Sequence, residues 1–149
     1  MTKLLELAGA ATLIISLIFI GYEIRLANRI ALVETEWEMF NSYAAYNEMA
    51  IEQPKLFAER PISEYTETEI ASKRSQFFRT LNIWLAAETA YSNGMISEAT
   101  YLITLADAQA LITTQKESGT VILWQSILDR YPFLGDKEII KLIAKELNG

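Results

Sequence analysis

Residues 4–22 read LLELAGAATLIISLIFIGY, and the reading of this stretch decides the architecture. Its nineteen residues carry a single charge, Glu6. Wound as a helix at about 1.5 Å per residue, they reach ~28 Å, close to the hydrocarbon thickness of a bilayer. A core helix of that length would show a polar face. Here only Thr12 and Ser16 are polar between Leu7 and Gly21, and both hydroxyls can bond back to the preceding turn. A cleaved signal peptide fits poorly too. No small-x-small site follows Ile20, where the chain continues Gly21-Tyr22-Glu23, and Lys3 is the whole basic flank. We therefore expect a retained transmembrane anchor over residues 1–25. Arg25 and Arg29 behind the span outnumber Lys3 before it, which by the positive-inside tendency leaves the soluble part in the cytoplasm. Tyr22 stands where an interfacial aromatic belongs.

Outside this span the chain has to make do with one domain, since 149 residues hardly allow two independent cores. Hydrophobic residues make up 51% beside 21% charged ones, an excess that the span explains. Cysteine and histidine are both absent. That removes disulfides, thiolate nucleophiles, the commonest metal ligand and the usual general base. The net charge of −6 is concentrated: residues 30–70 hold two basic and nine acidic groups, whereas residues 71–149 balance at eight and eight. Such a surface repels phosphate backbones, so no nucleic-acid partner is expected.

Past the span, no proline interrupts the chain before Gln53-Pro54, so the anchor can continue into an amphipathic stalk helix over residues 26–53. Its apolar residues Leu26, Ile30, Val33, Trp37, Phe40 and Ala44 are spaced four, three, four, three and four apart, a heptad seam. We expect this seam to pack against the later helices; self-association through it is the alternative. Residues 54–149 read as a small irregular helical bundle that forms one domain with the stalk. Thr66-Glu67-Thr68-Glu69 fits a capping box, and that helix stops at Asn93-Gly94. Ser97-Glu98 opens the next, through about Thr114, and a break at Glu117-Ser118-Gly119 leads to a helix over Thr120–Arg130. Asp136 is placed to cap a last amphipathic helix.

Glu88 breaks its local rule, because it lies on the stripe shared by Phe77, Trp84 and Tyr91. A buried carboxylate must be paired, hydrogen-bonded or protonated. We read it as structural, with Arg29, Arg79 and Tyr101 as candidate partners, rather than as part of a functional site. Phe77, Trp84, Tyr91, Tyr101 and Trp124 could line a ligand cavity, but at helical spacing they serve packing first. No metal is expected. The Glu-x-x-His pair of helical metal centres cannot occur, and Glu34, Glu38 and Asp107 form an oxygen site only if the fold gathers them. No phosphate loop, nucleophile elbow or serine–lysine pairing is present. No catalytic residue and no cofactor are expected.

The order of these features resembles a broad group of small, uncharacterised bacterial membrane-anchored all-helical proteins. The features are an apolar span, a charged amphipathic helix, Glu88-Thr-Ala-Tyr91, Gly94-Met-Ile-Ser97-Glu98, and Gly119…Trp124…Tyr131-Pro-Phe133. The resemblance covers about Leu7 to Leu142 and implies the fold and a single-pass place in a bacterial inner membrane; it implies no activity. The expected function is a non-enzymatic membrane-anchored interaction or scaffold protein. Its partners would be the bilayer and either its own copies or another membrane protein, as a homo-oligomer or small accessory subunit. The alternative is a sensor or regulator that binds a small apolar or lipid ligand among the aromatic helices.

Overall fold

The structure, a computed structural model, describes residues 2–148; the side chains of Leu4, Leu5 and Glu6 also lie outside the description. Among the described residues there are six α-helices and no strand. They are α1 (Thr2–Glu52), α2 (Pro54–Phe57), α3 (Glu67–Ser92), α4 (Glu98–Ser118), α5 (Ile122–Arg130) and α6 (Glu138–Asn148). Short 3₁₀ turns at Ile62–Glu64 and Pro132–Leu134 complete the path.

The breaks have local causes. Gln53 leaves helical geometry at φ −124°, ψ 57°, as a residue before proline is pressed to do. Thr66 and Glu69 form the capping box: the Thr66 hydroxyl accepts from the Glu69 N–H at 3.3 Å, and the Glu69 carboxylate accepts from the Thr66 N–H at 2.8 Å. The helix α4 runs four residues beyond Thr114 and stops where Gly119 takes the left-handed conformation, φ +74°.

The chain divides into two compact units, Met1–Glu34 and Thr35–Gly149. The division falls inside the 26–53 segment. The first unit is α1 helix alone. Its stretch from Leu7 is long and apolar enough to cross a membrane by length and composition, and none of that window is buried. Thr12 donates to the Ala8 carbonyl at 2.9 Å and Ser16 to the Thr12 carbonyl at 2.8 Å, so neither hydroxyl asks for an outside partner.

In the second unit α3 is the central element, packed against α2, α4, α5 and α6, while α4 also packs on α6. Three rings stack through the centre. Phe77 lies 4.8 Å from Trp124 at 15°, and Trp84 lies 5.6 Å from Trp124 at 12°. Leu81, Ala108, Ile112, Ile127, Ile139 and Ile143 close around them. Each indole N–H finds an acceptor, Trp84 on Asp107 at 3.2 Å and Trp124 on the Gln115 side-chain oxygen.

Residues 35–52 correct the expected stalk packing. Trp37 and Phe40 are 66% and 52% exposed; the face turned inward carries Met39, 8% exposed, and the half-buried Tyr43 and Tyr46. Tyrosine buries a ring while keeping a polar tip, so a heptad count over aliphatic residues and Trp/Phe passes over this face. Met39 joins Ala87, Ala90, Ile96 and Tyr101 in a second, smaller cluster.

Candidate functional site

Glu88 is 8% exposed, and its neighbours come from α6. One carboxylate oxygen accepts from the Glu138 N–H at 3.1 Å and the other from the Ile139 N–H at 3.1 Å. These are the first two N–H groups of α6, which no turn of their own helix can satisfy. Glu88 thus caps a helix remote in sequence, and the charge faces the positive end of that helix dipole. Lys137 adds a cation at 4.0 Å. Asp136 does not take the cap. Residue 137 occupies the N-cap position, since its carbonyl accepts from the Lys141 N–H at 3.0 Å.

Two of the expected partners of Glu88, Tyr101 and Arg79, make contacts elsewhere. Tyr101 donates to Glu138 at 2.9 Å and stacks on Tyr91, ring centres 4.5 Å apart. Burial first, then the Glu138 carboxylate, raises the Tyr101 phenol well above its ordinary pKa. Arg79 lies on the surface, 4.0 Å from the Met49 sulfur.

A second glutamate works the same way. Glu36 accepts from the Ser97 N–H at 2.8 Å and from the Thr100 hydroxyl at 2.8 Å, at the start of α4. The Ser97 N–H, then the Thr100 hydroxyl, lowers its pKa. Two helix starts are therefore held by carboxylates from other helices. The signal in the sequence was partial: Glu88 on an apolar stripe announced a bonded carboxylate, but nothing in its spacing named α6.

Sequence reasoning missed the most buried cation. Lys73 is 2% exposed, with its ammonium 2.6 Å from Glu59 and 3.3 Å from the Leu56 carbonyl. The other Glu59 oxygen accepts from Ser118 and Thr120, each at 2.9 Å. The group ties the loop after α2 to the corner between α4 and α5. Its trace is the spacing Ile70, Lys73, Phe77, which sets Lys73 on the inner stripe of α3.

The residues expected around a cavity form none together. Phe77, Trp84 and Trp124 fill the core as a stack, while Tyr91 and Tyr101 form a separate pair. A cleft of ≈ 240 Å³ opens instead between α1 and α4, lined by Met39, Phe40, Tyr43, Asn47, Thr100, Ile103, Thr104 and Asp107. Phe40 and Ile103, 52% and 64% exposed, make an apolar rim. At its base the Tyr43 hydroxyl is buried near Thr104 and Trp84 without a hydrogen bond of good geometry among the described residues. Burial raises its pKa.

Of the expected seam, Leu26, Ile30 and Val33 in the first unit are 41%, 50% and 63% exposed. Among the described residues no cluster of acidic side chains could hold a metal ion. Both Glu88 carboxylate oxygens accept a backbone N–H at the start of α6, which makes the side chain a fastening between α3 and α6. Comparison with protein-family models, with curated proteins and with solved structures finds no match to this chain.

Proposed function

We propose that this chain is a membrane-anchored interaction protein. It is held by a single span over about Leu7–Ile20, with a helical bundle outside the bilayer that acts by docking rather than by catalysis. One observation carries the reading. Leu7, Leu13, Ile14, Ile15, Leu17, Ile18, Phe19 and Ile20 are each 53–70% exposed on one helix. Leaving them in water forgoes on the order of 10 kcal/mol of burial, and a lipid environment recovers it. The helix satisfies its own backbone, as a lipid-facing segment must. The Arg25 and Arg29 bias supports a cytoplasmic bundle at a bacterial inner membrane. The exposed Trp37, Phe40 and Ile103 support a docking surface for its own copies or another membrane protein.

The test is gentle extraction followed by size-exclusion with light scattering in detergent. The reading expects a mass above the monomer or a co-purifying membrane partner; a monomer with neither overturns it. A sensor is the second reading, favoured by the cleft with its buried Tyr43 hydroxyl. Native mass spectrometry would then show a small bound molecule that is lost in Ile103→Trp.

A further inference from the structure

We infer that the first unit pairs with a second copy of itself, in parallel and in register, along the face of Leu26, Ile30 and Val33. This deepens the proposed anchoring and rests on it. The three residues form a d-a-d segment of a heptad repeat and stand exposed. Isoleucine at a with leucine at d favours two parallel strands, and Leu26 with Ile30 supplies that combination while Val33 fills the second d position.

The flanking charges choose the occupant. In this register Arg29 is a g residue and Glu34 the e residue five positions on, the pair that meets across a parallel two-stranded interface. Neither has an opposite charge within reach on its own helix turn. Arg29 has Arg25, Leu26, Leu32 and Val33 at three and four residues' distance; Glu34 has Ile30, Ala31, Trp37 and Glu38. A second copy in this register supplies the complement of each, and twofold symmetry makes the contact twice. Anchoring supplies what so short a seam lacks: both chains enter the bilayer in one direction, which enforces parallel order and raises the effective concentration.

The same register places Gly9, Thr12, Ser16 and Phe19 on this face within the span. It also places Glu23 at an a position at the edge of the bilayer, where it meets its own copy. Two like charges meet there, a cost in stability that the pairing carries.

The chain contains no cysteine, so single-cysteine variants of the full chain report cleanly. Membranes are oxidised, and disulfide-linked dimer is measured beside alkaline extraction of the same sample. The inference expects Val33→Cys and Ile30→Cys to cross-link and Glu38→Cys, on the b face, to stay monomeric. In the Val33→Cys background, Glu34→Arg lowers dimer roughly fivefold, Arg29→Glu with Glu34→Arg restores it, and Glu23→Ala raises it. Equal cross-linking at residues 33 and 38, or none at 30 and 33, overturns the pairing. So does a double reversal that fails to restore. Extraction separates the two failures: resistant protein without cross-links sinks the pairing alone, and protein released by alkali sinks the anchoring with it.

Discussion

The stretch from Leu7 to Val33 and the core of the second unit draw on similar residues, yet one leaves them open and the other encloses them. Ile14, Ile18 and Ile30 are 59%, 68% and 50% exposed, while Ile112, Ile139 and Ile143 are fully buried. The difference lies in what interrupts the apolar residues. In α3 and α4, charged, amide and hydroxyl side chains punctuate the sequence, leaving one stripe to be covered by neighbouring helices. From Leu7 to Gly21 no charge recurs, so no charged face marks a side for water, and in the proposed reading lipid surrounds the helix. Hydrophobicity alone does not separate the buried core from the exposed apolar helix; the polar residues that interrupt the first and are nearly missing from the second do.

Truncation tests that contrast most strongly. Trp124→Ala removes the middle ring of the stack and should cost about 3–5 kcal/mol in denaturant unfolding followed in detergent. Leu17→Ala should stay within about 0.5 kcal/mol in the same assay, because it opens no protein cavity. Similar losses at both sites would erase the distinction.

Next comes the buried ion pair. Lys73→Met strands the Glu59 carboxylate among Ser118 and Thr120 and should cost about 3 kcal/mol, much of it recovered when Glu59→Leu is added. A double variant no more stable than the single would argue that Glu59 does not depend on Lys73.

Glu88 probes the fastening of α6. Glu88→Leu leaves two helix N–H groups without acceptors and should cost about 2–3 kcal/mol, whereas Glu88→Gln keeps one acceptor and should cost about 1. The reverse ranking in thermal unfolding would contradict the capping role.

The smallest effect is in acid. The Thr66 N–H, then Arg60, lowers Glu69 from 4.5 to about 2. A depressed carboxylate stabilises fully above its unfolded value and loses that contribution as pH falls through the folded one. The stability gap between wild type and Glu69→Gln should therefore be whole at neutral pH and close between about pH 4.5 and about pH 2. A gap that widens on acidification would refute the assignment.

Much of the helical layout was legible because its punctuation is local: Pro54, the Thr66–Glu69 box and Gly119 each act within a turn. What escaped depends on distant partners. Nothing near Asp136 reveals that α6 borrows its cap from α3, and nothing near Lys73 reveals Glu59. The inner face of residues 35–52 was misread because it is built from Met39, Tyr43 and Tyr46, while the aromatic residues of the obvious seam, Trp37 and Phe40, face outward.

The most direct measurement uses Leu13→Cys and Asn41→Cys, each in the otherwise cysteine-free chain, and a membrane-impermeant maleimide applied to opened native membranes. If lipid surrounds the apolar helix, Asn41→Cys is labelled at once and Leu13→Cys only after detergent is added. Equal labelling of both before detergent would show that water reaches Leu13 and would contradict the account.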